Sequence, residues 1–383
     1  MDVKTILSDL VAFPSVCETS NRDIADYVRS YLASHGVESD LIPGPEGDRC
    51  NLFATIGPKD RPGYILSGHM DVVSAEGQRW SSDPFKLTAA DDGRNVARGA
   101  VDMKGFIACI LATVPEFVSL GLGRPIHIAL SYDEEMGCRG VKHLLPAIGG
   151  LCEKPLACIV GEPSDMRPVL SHKGKAAIEF LLHGLSGHSS NPALGYNAIY
   201  PAADLILRLR DLADRIAAEG PFDHRFDPPF STLQVGTVNG GTAVNIIPEH
   251  CRLEMEVRSI PAQDAAAIVE QATAAAHKIA ARACEAGGVL DIRWTETSNY
   301  PALAPASDPA LAELLVQLTG KQALQSVSYG TEAGLYAEAG IPAIICGPGS
   351  IARAHKPDEF ILDSELAECL QMMRALGGRL QHD

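Results

Sequence analysis

The sequence predicts an α/β protein with a mixed, largely parallel sheet flanked by helices, into which a smaller ferredoxin-like α+β domain is inserted. Three features predict it. Residues 1–173 alternate amphipathic helical patterns with short apolar runs that stop abruptly at Gly, Pro, Asp or Glu, the rhythm of helices packed on a sheet. Residues 174–295 change to the order strand, helix, strand, strand, helix, strand, that of a split βαβ unit. Residues 296–383 then complete the main domain with a further apolar run, Pro342-Ala-Ile-Ile-Cys346.

In the main domain the opening helix carries Ile6, Leu7, Leu10 and Val11 at helical spacing, and a second, from about Asn21, turns Ile24, Val28 and Leu32 one way. Four runs read as buried strands: Tyr64-Ile-Leu-Ser67, Ile126-His-Ile-Ala-Leu-Ser131, Ala157-Cys-Ile-Val160 and Pro342–Cys346. In the insert, Lys175–His183 is a strand and Asn197–Ala218 a helix with Leu205, Leu209, Leu212 and Ile216 along one face. Thr232–Val238 is the next strand. Strict alternation in Cys251–Arg258 sends Cys251, Leu253, Met255 and Val257 inward and Arg252, Glu254, Glu256 and Arg258 outward. An alanine-rich helix from about Ala262 to Ala286 stops at Gly287-Gly288, and Val289–Trp294 is the last strand. Hinges are expected near Ser171–Gly174 and Ser298–Pro301.

A chain of 383 residues exceeds one average core, in keeping with this division. With 46% hydrophobic and 21% charged residues it has the composition of a folded globular protein. A net charge of −16 opposes binding to a phosphate backbone or an anionic lipid surface, because both depend on clustered Lys and Arg. Neither nucleic acid nor membrane is an expected partner. Met1–Leu10 lacks a basic stretch followed by an apolar run, so no signal peptide is expected. No apolar segment is expected to approach the roughly 20 residues of a bilayer-crossing helix. The 10 cysteines form no Cys-x-x-Cys pair, which removes zinc ribbons and thioredoxin-like motifs. Several sit in apolar runs as small hydrophobes, and a reducing, cytoplasmic location is the expectation.

Charged and metal-binding groups follow the four strands. Gly68-His69-Met-Asp71 comes after the first, Asp133-Glu134-Glu135 after the second and Gly161-Glu162-Pro163 after the third. Ala354-His355-Lys-Pro-Asp358 follows the fourth beyond a glycine-rich loop. Ligands of parallel sheets gather beyond the carboxyl ends of the strands, so these segments are expected to converge on one site. Together with Asp102, from Arg98-Gly-Ala-Val-Asp-Met-Lys-Gly105, the residues His69, Glu135, Glu162 and His355 make a nitrogen-and-oxygen donor set suited to Zn²⁺. Five ligands are too many for one catalytic zinc and the right number for two ions sharing a carboxylate, with Asp102 the natural bridge.

Asp71 lies near enough to His69 to take a hydrogen bond from its second ring nitrogen. Glu134, adjacent to Glu135 but turned differently by its backbone, can accept a proton from an attacking water. Singly, each of these residues has an ordinary reading as a strand-end histidine, a helix-capping aspartate, a turn glutamate or a surface histidine. Their convergence favours chemistry.

These motifs resemble the M20 family of metallopeptidases and deacylases, and the likeness spans the chain. It extends to Ser186-Gly-His188-Ser-Ser190 and Gly240-Gly-Thr-Ala-Val-Asn245-Ile-Ile-Pro248 in the insert. It also covers Ser328-Tyr-Gly-Thr-Glu332-Ala-Gly334 and Ala354–Glu359. The resemblance implies a hydrolase acting on linear amide bonds with two divalent ions, Zn²⁺ first and Co²⁺ as the alternative. One ion would take His69 and Glu162, the other Glu135 and His355, with Asp102 bridging and Glu134 acting as general base and then general acid. The Asp102–Met103 peptide would be cis. The insert would be the lid and dimerisation domain of a homodimer, with His188 steadying the oxyanion in the partner subunit's site. Asn245 and Arg258 would hold the substrate's α-carboxylate.

Glu rather than Asp at position 162 resembles the family's deacylases and carboxypeptidases more than its aminopeptidases. The leading expected reaction is removal of the acetyl group from N2-acetyl-L-ornithine, a step of arginine biosynthesis, with Glu332 as a candidate partner for the side-chain ammonium. Alternatives of the same design are hydrolysis of N-succinyl-diaminopimelate and of N-acetylcitrulline. An alternative of a different class is a metal-binding protein without turnover, against which the presence of Glu134 argues.

Overall fold

Six strands form the main sheet, in the spatial order Ser39–Pro43, Cys50–Ile56, Ile126–Ser131, Tyr64–His69, Ala157–Pro163 and Ala343–Gly347. The computed structural model describes residues 1–381. Cys50–Ile56 runs antiparallel to both its neighbours, and the other pairings are parallel. The sheet is therefore mixed and largely parallel, and the four strands legible in the sequence are its four parallel members. Parallel strands carry helices on both faces and so read as continuous apolar runs. Ile126–Ser131 and Ala157–Pro163 are buried along their whole length.

Helix Gly105–Leu120 fills the core of this part of the chain. Its Phe106, Ile107, Ile110 and Leu111 are wholly buried, and it packs against the helices Val3–Val11 and Asp363–Leu380. With residues 100–104 it makes a run of 21 residues that is long and apolar enough to cross a bilayer, which corrects the expectation that no segment reaches that length. A helix that is apolar on most sides belongs either to a core or to a membrane, and in this one residues 105–111 are all buried inside the protein while Val118 and Ser119 near its end reach the surface. Helices Val3–Val11 and Arg22–Ser34 bury the predicted Ile6, Leu7, Leu10, Val11, Ile24, Val28 and Leu32.

Gly161 is required where the main sheet meets this helix, because a Cβ there would lie 2.0 Å from the Phe106 ring. Gly161→Ala should destabilise the protein by about 1–3 kcal/mol, the usual cost of overpacking a core. A lower urea midpoint with an unchanged slope would report it.

Residues 172–302 and 327–330 form a second compact unit, separate from the remainder of the chain. Its antiparallel sheet has the order Thr232–Gly240, His250–Ser259, Gly174–His183 and Asp291–Tyr300. Helices Ile199–Glu219 and Ala265–Glu285 pack on one face. This is the ferredoxin-like order, with one addition: a small ladder between Gly187–His188 and Ile246–Ile247. The alternation in His250–Ser259 holds, with Cys251, Leu253, Met255 and Val257 buried. The last strand outruns its prediction because a register shift between Glu296 and Ser298 lets pairing continue as far as Tyr300 with Lys175.

His172 stands at the start of this unit, fully buried. Its Nδ1 donates to the Lys173 carbonyl at 2.8 Å, and its Nε2 has no hydrogen-bond partner among the described residues. Burial, opposed only in part by the Lys173 carbonyl, pushes its pKa down to about 4. The unfolded chain takes up this proton near pH ~6.5 and the folded chain does not. The stabilisation is therefore complete above pH ~6.5 and is lost as the pH falls towards ~4, roughly 3 kcal/mol in all. Thermal melts across that range should show a shallower pH dependence for His172→Gln than for the wild type.

Candidate metal centre

His69 closes the strand Tyr64–His69, Glu162 lies near the end of Ala157–Pro163, and Glu134 and Glu135 follow Ile126–Ser131. His355 follows Ala343–Gly347 after the short turn Ile351–Arg353, and its backbone lies in the left-handed region at φ 62°. Such a conformation is uncommon outside glycine and clusters at functional sites. Asp102 belongs to residues 100–104, where the backbone leaves helical geometry at Asp102 and Met103. The peptide between those two is cis, as the resemblance implied.

The structure brings the five predicted ligands together in two groups that share Asp102. In one, His69 Nε2 lies 3.1 Å from Asp102 Oδ1 and 3.6 Å from Glu162 Oε1. In the other, His355 Nε2 lies 3.2 Å from Asp102 Oδ2 and 2.9 Å from Glu135 Oε1. Each Asp102 oxygen faces a different group. Donors around a tetrahedral ion with bonds of ~2.0–2.2 Å stand about 3.4 Å apart, so the set fits two ions bridged by one carboxylate.

The electrostatics agree with that fit. Burial, reinforced by Glu135, Glu332 and Asp71 against the opposing effect of His69, pushes the Glu134 pKa up to about 8. Burial raises Asp71 to about 7 and holds Glu162 well above the usual carboxylate range. For Asp102, burial opposes the charge, but hydrogen bonds from His355 and His69 outweigh it and keep the carboxylate well below its ordinary range. Hydrogen bonds to Asp102 and Glu135 raise His355 to about 10. At His69 burial acts against protonation, and Asp102, Asp71 and Glu162 overcome it. A buried cluster with this excess of carboxylates is built for cations.

Asp71 differs from its expected arrangement. His69 Nδ1 donates to the Asp71 backbone carbonyl at 2.9 Å, while the carboxylate lies 3.6 Å away. The carboxylate oxygens instead accept from the backbone N–H groups of Glu134 at 3.1 Å and Glu135 at 3.2 Å. One residue thus orients the histidine through its main chain and the glutamate pair through its side chain. Glu134 is buried and accepts a hydrogen bond from Cys138 Sγ at 3.3 Å.

Glu332 does not meet the expectation placed on it. It is buried, and its oxygens accept from Ser67 Oγ at 2.5 Å and Ser131 Oγ at 2.8 Å. These serines lie on adjacent parallel strands, so Glu332 ties the sheet to the helix Ala333–Glu338 that it precedes. Buried and held by two serines, it braces the sheet rather than presenting an exposed carboxylate to a substrate ammonium.

Sequence reading missed Glu359 as a functional residue. Its Oε1 accepts from the N–H groups of Val101 at 2.9 Å and Asp102 at 3.2 Å, and its Oε2 from Arg98 Nη1 at 2.6 Å. Arg98 is buried, donates to Gln78 Oε1 at 2.5 Å and lies 5.0 Å over the Trp80 ring. The signal was available, since Arg98 and Glu359 sit in the segments that carry Asp102 and His355. Glu359→Gln should weaken zinc binding about 10–100-fold, the usual effect of losing a residue that orients a ligand. Competition with a chromophoric chelator measures it.

The remaining predicted residues lie in the smaller unit. His188 is exposed, with Nδ1 2.7 Å from Ser190 Oγ, and Asn245 is exposed beside Ile246–Ile247. Arg258 donates to Glu256 at 2.7 Å and to the Tyr300 hydroxyl at 3.0 Å. It is an engaged, half-buried guanidinium rather than a loose surface charge.

A mixed sheet whose parallel strand ends hold two donor triads around one carboxylate defines a metallo-hydrolase. The sequence profile of peptidase family M20/M25/M40 matches residues 65–377, and the chain belongs to this family. It is 32% identical over 366 residues to the acetylornithine deacetylase of Pasteurella multocida, covering 92% of this chain and 91% of that protein. To the acetylornithine deacetylase of Myxococcus xanthus it is 32% identical over 372 residues, covering 96% and 94%. Among solved structures, an M20 family metallo-carboxypeptidase from Sulfolobus solfataricus aligns over 100% of this chain and 99% of its own, with a TM-score of 0.80 and 19% identity. A dinuclear metal-binding peptidase of the family from Bacillus subtilis aligns over 99% and 98%, with a TM-score of 0.65 and 18% identity. The chain is a hydrolase of amide bonds.

Proposed function

We propose that this hydrolase removes the acetyl group from N2-acetyl-L-ornithine, releasing L-ornithine and acetate. The observation that most supports a deacylase is Glu134 beside two donor triads sharing Asp102. The substrate rests on relatives named acetylornithine deacetylase that match over more than nine-tenths of the chain. His69, Asp102 and Glu162 would hold one ion and Asp102, Glu135 and His355 the other, zinc first and cobalt second. Such ions, when bound, polarise an acyl carbonyl and acidify water.

Glu134 accepts a proton at its carboxylate as the water oxygen attacks the acyl carbon, and returns it to the amine nitrogen as the C–N bond breaks. Burial raises its basicity, which suits a group that must take and give a proton near neutrality. Asp71 holds Glu134 and Glu135 by their N–H groups. Arg258, exchanging Glu256 for the substrate, and Asn245 are assigned to the α-carboxylate. His188 is assigned to the developing oxyanion in the partner subunit of a homodimer, with residues 174–295 as lid and dimerisation domain. A cytoplasmic location and a place in arginine biosynthesis accompany that substrate.

Steady-state hydrolysis of N2-acetyl-L-ornithine, N-acetyl-L-citrulline and N-succinyl-diaminopimelate by zinc-loaded protein tests the proposal. Preference for acetylornithine supports it. Preference for another compound keeps the chemistry and rejects the substrate, and no hydrolysis of any rejects the deacylase.

A further inference from the structure

The smaller unit carries another cluster of metal-binding side chains, belonging to none of the motifs considered above. His183 ends the strand Gly174–His183, His250 begins His250–Ser259, and the two are paired directly across the antiparallel ladder. On its other side His183 pairs with Asp291. Directly opposed residues project to the same face of a sheet. Leu182, Cys251 and Ile292 are buried with the two helices on the opposite face, so His183, His250 and Asp291 share the uncovered one.

The rings of His183 and His250 stack with centroids 4.7 Å apart and planes within 10°. Glu249 reaches both, its Oε1 3.1 Å from His183 Nε2 and its Oε2 3.9 Å from His250 Nε2. One donor atom from each of the three falls within 4.8 Å of the others.

We propose that His183, Glu249 and His250 form a peripheral binding site for a borderline divalent cation such as Zn²⁺. Two imidazoles and one carboxylate select such ions over Mg²⁺ and Ca²⁺, which take oxygen ligands. The observed separations of 3.1 and 3.9 Å straddle the spacing of about 3.4 Å that a tetrahedral ion imposes. The two contacts run to different oxygens of Glu249, and the stacked rings must turn about their side-chain bonds for both to aim a nitrogen at one ion. The Gly184 N–H donates to the Glu249 carbonyl at 2.7 Å, so the donors stand on a braced sheet corner rather than a loose loop. They border a cavity of about 680 Å³, which leaves room for water as a further ligand. A bound cation would tie both strands to Glu249, two residues beyond the ladder that carries His188.

Equilibrium dialysis of the full chain at micromolar free zinc, with elemental analysis, tests the site by comparing wild type, His183→Gln/His250→Gln and Glu249→Gln. The histidine side chains are 52% and 75% exposed, so glutamine removes donors without touching the core. The expected result is about one zinc equivalent per chain fewer in the double variant and weaker binding of that equivalent in Glu249→Gln, with metal-free thermal unfolding and hydrolysis unchanged and with the stabilisation by added zinc reduced. Equal zinc content in wild type and double variant overturns the proposal. The reading is a difference, so it is independent of how many ions the larger unit holds. The same loss should appear when the comparison is repeated in a His69→Ala background, and its absence there equally overturns the site.

Discussion

Glu134→Gln should bind two ions as the wild type does and lose about 10²–10⁴ in kcat, the range expected when a positioned general base is removed. Glu134 is a buried carboxylate next in sequence to the ligand Glu135 and belongs to neither triad, so glutamine deletes the proton acceptor and spares the ligands. The pH profile gives a second, independent reading. Glu134 works ionised, so the wild-type rate should climb with pH through its pKa and level off above it. Burial sets that pKa at about 8 in the protein alone, and two adjacent cations would move the ascending limb lower. The variant should lack the limb. A variant that keeps both ions and a wild-type rate would remove Glu134 from the mechanism.

Asp102→Ala should be at least as damaging and for a different reason. Each of its oxygens faces one triad, so one substitution leaves both ions with two protein ligands. In a His183→Gln/His250→Gln background, zinc content after dialysis should fall towards none, and hydrolysis should fall to background. His355→Ala, in contrast, should cost one ion. Because Asp102 and Glu135 raise His355 to about 10, zinc must displace a proton there. Zinc affinity should therefore increase with pH and weaken on acidification. Metal analysis across pH for both variants checks these outcomes, and an Asp102→Ala protein that keeps two zincs would exclude the shared-carboxylate arrangement.

The strands and their chemical ends were readable from local pattern. Tyr64–His69, Ile126–Ser131 and Ala157–Pro163 are short apolar runs finishing in or beside donors, and parallel topology then forces those ends together. Hydrogen-bond choices were not readable. The Asp71 carboxylate takes the N–H groups of Glu134 and Glu135, 63 and 64 residues away, rather than its near neighbour His69. Glu332 meets serines 265 and 201 residues distant, and Glu359 meets Asp102 across 257 residues. Sequence spacing says nothing of such partners, because each was selected by burial in a finished core, where most polar groups find a partner. The apolar helix Gly105–Leu120 shows the same limit, since composition cannot tell a core axis from a membrane span.

The two donor triads also differ in how much chain each requires. His69, Asp102 and Glu162 all precede residue 163, whereas the second triad joins Glu135 to His355 across 220 residues. The second position therefore exists only once the chain beyond residue 343 has been made and has folded back onto Glu135. A protein shortened ahead of His355 would lose that ligand together with Glu359, which holds the backbone of Asp102, and so would weaken both positions. Metal content would thus report, molecule by molecule, whether the segment carrying His355 and Glu359 has docked against the rest of the larger unit.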